Sequence, residues 1–290
     1  MIEGSIVAIV TPMNASGDID YQAFDSLIEW HIDSGTDALV VVGTTGESAT
    51  LSHQEHCKLV EYCVTQVNGR LPVIAGTGSN STAEALFFTQ SAKEHGADAC
   101  LLVTPYYNRP TQEGLYQHFK HIADTVDIPQ ILYNVPSRTG CDLLPATVDR
   151  LADGGNIIGI KEATGDLSRA QEIIALSGDR LAVYCGDDAI AVEMMLAGAK
   201  GNISVTANVA PKLMQQLCKS AIAGDRETAE GLDQQVAALH RDLFVEPNPV
   251  PVKWALQQMG KISTGIRLPL VELDSQFHVK VREALQQAAI

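Results

Sequence analysis

Basic residues are scarce: 20 lysines and arginines stand against 35 aspartates and glutamates, for a formal charge of −15. A surface that neutralises phosphates needs the opposite balance, so the surplus acid argues against nucleic-acid and anionic-membrane partners and instead favours solubility. Long apolar runs are missing too. The longest, 38–42 and 99–103, fall far short of the ~20 residues of a membrane helix. The opening stretch MIEGSIVAIVTP has an acid at Glu3 and no basic segment ahead of its apolar residues, unlike an export leader. Six cysteines are spread without a Cys-x-x-Cys pair, which favours reduced, packed thiols over a metal or redox centre. A soluble, cytoplasmic protein is expected.

Low-complexity tracts are also absent, and the 23 glycines are dispersed rather than gathered into a linker. Hydrophobic residues make up 46% of the 290 positions. That is enough for one large core, and α/β barrels commonly run to about 250 residues as a single unit.

What the chain does have is alternation. Short apolar runs at 5–10, 37–43, 72–76, 98–103, 128–133, 156–160, 181–186 and 201–205 read as strands. Between them lie stretches with helical spacing, such as Phe24, Leu27, Ile28 and His31. Ser52 with Glu55 three residues on, and Thr111 before QEGLYQHF, read as helix caps. Eight βα units predict an α/β fold, a TIM (β/α)₈ barrel over 1–224. The alternative, an open doubly wound sheet, needs a phosphate loop, and neither GTTGE (43–47) nor GTGSN (76–80) matches a nucleotide-binding pattern. From about residue 225 only helical signal continues, broken by Pro247, Pro249 and Pro251. Residues 225–290 are therefore expected to form a C-terminal helical extension that supports the barrel or an oligomer contact.

In such barrels the chemistry gathers at the C-terminal strand ends. No histidine ends a strand here, and His53 and His56 in SHQEH do not form H-E-x-x-H, so no metal site is expected. What the strand ends offer is one lysine, Lys161, with Tyr133, Thr44 and Thr45. A desolvated amine can attack a carbonyl to form a Schiff base, and a phenol can both give and take the protons that this step moves. On position alone Lys161 could equally be half of a structural ion pair with Glu162 or Glu47. Tyr133 could be a core tyrosine, and the threonines simple turn residues. Arg138, in the loop after the fifth strand, has the planar fork that binds carboxylates, or makes a surface loop contact.

With GTTGES, YNVPSRTG and GIKEATGD at three strand ends, and GTGSN, TPYYN and the helical tail besides, the chain closely resembles the dihydrodipicolinate synthases of the N-acetylneuraminate lyase superfamily of Schiff-base aldolases. The resemblance implies that Lys161 condenses with pyruvate, without metal or cofactor. Tyr133 would be the acid/base, linked by Thr44 to a Tyr107 supplied by the neighbouring subunit of a tetramer built as a dimer of dimers. It further implies that Thr45 holds the pyruvate carboxylate, that the backbone at Gly186 and Ile203 shapes the pocket, and that Arg138 holds the carboxylate of L-aspartate-4-semialdehyde. Ser48, Ala49, His53, His56, Asn80, Glu84 and Tyr106 match that family's L-lysine effector site. Two other functions stay open: a neuraminate or 2-keto-3-deoxy acid lyase, and a non-catalytic barrel that binds carboxylates.

Overall fold

A computed structural model describes residues 2–290. Eight parallel strands close into a barrel in sequence order, with the first beside the last. They are β1 (Gly4–Ala8), β2 (Ala38–Val41), β3 (Val73–Gly76), β4 (Ala99–Val103), β5 (Gln130–Asn134), β6 (Ile157–Glu162), β7 (Ala182–Cys185) and β8 (Gly201–Ser204). All eight expected strands are therefore present, and the doubly wound alternative falls away. The fold is a TIM barrel.

The outer helices are α1 (Tyr21–Asp33), α2 (His53–Val67), α3 (Thr82–Glu94), α4 (Gln112–Thr125), the single turn α5 (Pro136–Thr139), α6 (Pro145–Leu151), α7 (Leu167–Ser177), α8 (Ala191–Leu196) and α9 (Pro211–Ile222). Three more follow α9: α10 (Arg226–Asp242), α11 (Val250–Gln258) and α12 (His278–Gln287). The expected caps form. Ser52 and Glu55 close a full capping box on α2, and Thr111 accepts from the Gly114 N–H at the start of α4. Among the described residues no helix is long and apolar enough to cross a membrane.

Because successive strand residues face opposite sides, the apolar side chains sort into two clusters. Val7, Leu39, Val41, Leu132 and Ile160 pack outward against the helices. Ile6, Val40, Ile131, Tyr133 and Ile203 fill the barrel interior. This parity fixes the orientation of the chemistry: with Ile160 outward, Lys161 turns inward, on the same side as Tyr133. The two residues are also direct neighbours across the β5–β6 ladder.

Two strands run past their expected ends. The pairing continues through Tyr133↔Lys161 and Asn134↔Glu162, so Asn134, Lys161 and Glu162 belong to the sheet rather than to the loops beyond it. The outward polar side chains of Asn134 and Glu162 satisfy one another. Asn134 Nδ2 donates to Glu162 Oε2 at 3.1 Å, and the Thr164 N–H donates to Glu162 Oε1 at 2.8 Å.

Candidate active site

At the C-terminal end of the barrel lies a cavity of about 470 Å³. Lys161, Tyr133, Thr44, Thr45, Arg138 and Gly186 all line it, so most of the residues singled out from strand ends far apart in sequence meet in one place. Ile203 does not line it; its side chain is buried inside the barrel, packed with the interior cluster.

Lys161 is 6% exposed, and its Nζ stands 4.3 Å from the centroid of the Tyr133 ring. The ion pair considered for it does not form. Glu47 is paired with Lys253 instead, and Glu162 is held by Asn134, Thr164 and, at 3.6 Å, Arg169. Burial pushes the Glu162 carboxyl above the usual range, against the opposing pull of those hydrogen bonds. With both carboxylates engaged elsewhere, no ion pair among the described residues includes Lys161.

Thr45 is buried, and its Oγ1 accepts a hydrogen bond from Asn248 Nδ2 at 3.0 Å. Arg138 sits on the α5 turn, where Pro136 at the first position pre-sets the backbone. Its guanidinium donates to the Asn248 carbonyl at 3.3 Å and leaves further donors facing the cavity.

Tyr107 lies outside this cavity. It is 90% exposed, with a left-handed φ of 73°, and its N–H donates to the Thr139 carbonyl at 3.1 Å. Within one chain, then, Thr44 and Tyr133 share the cavity and Tyr107 does not line it. A bulky residue holds a positive φ only where its surroundings impose it, at a cost of about 1–3 kcal/mol.

A second cavity, of about 480 Å³, adjoins the first; Thr44, Val135, Arg138 and Asn248 border both. Its far side carries Ser48, Ala49, His53, His56, Glu84 and Tyr106. Asn80 does not line it but donates to the Tyr106 carbonyl at 3.1 Å. Glu84 accepts from Ser79 and contacts His53 Nε2 at 2.7 Å; the Ser79 bond, more than His53, holds its carboxyl below the usual range. His56 stacks on Phe88 at 4.0 Å, and burial pushes its imidazole down to about 4.

The family model of the dihydrodipicolinate synthetase family matches residues 1–288. The chain belongs to that family. It is 59% identical over 290 residues to the 4-hydroxy-tetrahydrodipicolinate synthase of Stutzerimonas stutzeri, covering 100% of this chain and 99% of that one. Among solved structures it superposes with a TM-score of 0.99 on a chloride-inhibited dihydrodipicolinate synthase from Acinetobacter baumannii complexed with pyruvate, at 56% identity and full coverage of both chains. It also matches dihydrodipicolinate synthase from Cyanidioschyzon merolae with lysine bound, at a TM-score of 0.96 and 36% identity, covering 99% of this chain and 98% of that one. As a member of the dihydrodipicolinate synthetase family the chain is an enzyme, a lyase of aldolase type.

The cavity also holds residues that the strand-end pattern does not reveal. Asn248, His240, Arg241 and Phe244 reach it from the helical tail, which therefore does more than brace this synthetase-family barrel. Asn248 is 203 positions from the Thr45 that it contacts, in a proline-rich stretch that reads only as a helix break. Nothing local marks it.

Gly186 makes room for the lysine. A Cβ there would stand 2.9 Å from Lys161 Cε and 2.7 Å from the Ala163 Cβ. Gly186→Ala is expected to cost about 1–3 kcal/mol of stability through overpacking and to lower kcat/KM by about tenfold or more by moving the amine. Steady-state kinetics beside thermal melting check both, and parental kinetics would mean that the alanine is accommodated without shifting Lys161.

Proposed function

We propose that the chain is a 4-hydroxy-tetrahydrodipicolinate synthase, which condenses pyruvate with L-aspartate-4-semialdehyde on the route to diaminopimelate and lysine. The observation that carries this reading is Lys161: buried, inward, beside Tyr133, and with both neighbouring carboxylates engaged by other residues. The amine attacks the keto carbon of pyruvate, water leaves, and an imine forms; loss of a methyl proton gives the enamine, whose carbon attacks the aldehyde. The amino group of the second substrate then adds to the imine carbon and expels the Lys161 amine, which closes the product ring and frees the lysine. Tyr133 is the proton carrier for these steps, with Thr44 beside it. Thr45, oriented by Asn248, receives the pyruvate carboxylate, and the backbone at Gly186 bounds the pocket. The exposure of Tyr107 suits its delivery into the cavity of a second copy, hence a working homotetramer made as a dimer of dimers.

Arg138 favours the synthase over a sugar-acid lyase of the same superfamily. A guanidinium at the mouth suits the second carboxylate of an amino-acid aldehyde, whereas a sugar acid asks for groups that recognise hydroxyls. The decisive comparison is turnover of pyruvate with L-aspartate-4-semialdehyde against cleavage of N-acetylneuraminate and 2-keto-3-deoxy acids. Activity with the semialdehyde is expected to dominate, and Arg138→Gln to lower kcat/KM for it by about tenfold or more, as loss of a charge-assisted hydrogen bond does. Dominant cleavage of a sugar acid would favour the lyase.

The second cavity is proposed to bind L-lysine as a cytoplasmic feedback effector, with Glu84 meeting an ammonium and Ser48, Ala49, His53, His56, Asn80 and Tyr106 surrounding the remainder. Its shared wall with the first cavity, through Thr44 and Arg138, supports such coupling. Turnover is expected to fall as L-lysine is added, and Glu84→Gln to raise the half-inhibitory concentration by about tenfold or more, as loss of a charged pair does. A flat response in the parent chain would rule the effector role out.

A further inference from the structure

The turn that follows β2 carries Gly43, Thr44 and Thr45 on the side of the first cavity and ends at Glu47, which borders the second. Glu47 has a left-handed φ of 57° and is 3% exposed, an unfavourable backbone state for a buried glutamate unless its neighbours dictate it. What dictates it comes from the other end of the chain. Lys253 Nζ, on α11, pairs with the Glu47 carboxylate, and the Arg267 N–H donates to the second carboxylate oxygen at 3.2 Å. The same Nζ donates to the Thr11 carbonyl at 3.0 Å, while Thr11 Oγ1 donates to the Gly46 carbonyl at 2.7 Å. The pair spans 206 positions, and its side chains are 5% and 1% exposed. Burial pushes the Lys253 ammonium below the usual lysine range, with Glu47 opposing.

We propose that Lys253 is a positioning residue for the pyruvate half-site: from the helical tail it fixes the Thr11–Gly46–Glu47 frame and so sets where Thr44 and Thr45 stand. This rests on the proposed function, in which Thr45 receives the pyruvate carboxylate. The reach is short, because Gly46 and Glu47 directly follow Thr45 in the chain. A second tie from the tail, Asn248 to the Thr45 hydroxyl, acts on the same turn. A buried ion pair is weak evidence for a contribution to stability, since an apolar or neutral pair of similar volume often serves as well. Its geometric hold on a turn is what a neutral pair cannot reproduce.

The test uses the full chain and reads pyruvate binding alone, as the pyruvate concentration giving half-maximal borohydride trapping on the enzyme. Removing one partner strands a buried charge, so the main variant is the neutral double replacement Lys253→Met with Glu47→Gln. It is expected to melt close to the parent, to raise half-saturating pyruvate by about tenfold or more, and to leave KM for the aldehyde within about twofold, since Thr45, the carboxylate-binding group of the turn, serves the first substrate alone. Lys253→Arg serves as the second variant. It keeps the charge but not the compact ammonium that reaches both Glu47 and Thr11, and it is expected to raise the same midpoint by about threefold or more. A parental midpoint in a folded double variant, equal weakening of both substrates, or, where the double variant does not fold, a parental midpoint in Lys253→Arg overturns the positioning role. A parent chain that traps no pyruvate at all overturns the proposed function, and this role with it.

Discussion

Replacing Lys161 by methionine is expected to lower kcat/KM by at least about 10³-fold, because a covalent route loses its nucleophile entirely. The informative part is what happens to stability. A lysine serving as half of a buried ion pair would leave an orphaned carboxylate behind, at a cost of about 3–5 kcal/mol. Here the two candidate carboxylates keep their bonds without it, Glu47 with Lys253 and Glu162 with Asn134 and Thr164. Methionine matches the length of the lysine stem and fills the same inward position. The melting temperature is therefore expected to stay near the parent's or to rise, while activity collapses. Kinetics and thermal melting on the same preparation make the check; a large loss of stability with modest loss of rate would return Lys161 to a structural role.

Tyr133→Phe is expected to reduce kcat by about 10²–10³-fold, the range for a lost general acid/base. The ring survives the change, so its packing with Ile131 and the interior cluster and its position 4.3 Å from the Lys161 amine are retained. Only the proton carrier goes. Half-saturating pyruvate in the trapping reaction is expected to stay near the parental value, while imine formation and the later carbon–carbon step slow together. Turnover within a few-fold of the parent would assign the phenol a packing role and send the search for a proton carrier elsewhere in the cavity.

The barrel was legible because strands buried on both faces read as nearly continuous apolar runs, and here eight of them alternate with helical spacing. Which way Lys161 points was not legible from its own run. That follows only once Ile160 is seen packed outward against the helices. The apolar runs stop short of the ends of β5 and β6, where Asn134 and Glu162 continue the strands and satisfy each other across the ladder. Glu47 pairs with Lys253 rather than with Lys161. No local pattern could have shown this, because the contacts of Glu47 with Lys253 and of Thr45 with Asn248 each join residues more than 200 positions apart. Local spacing reports on neighbours along an element; what closes this site is the return of the tail across the mouth of the barrel.

The most direct measurement is to incubate the chain with pyruvate, reduce with borohydride, and map the modified peptide by mass spectrometry. The expected result is one reduced pyruvyl group per chain, on Lys161, and none in Lys161→Met. An adduct on another lysine, or a parent chain left unmodified, would contradict a Schiff-base mechanism at the end of β6.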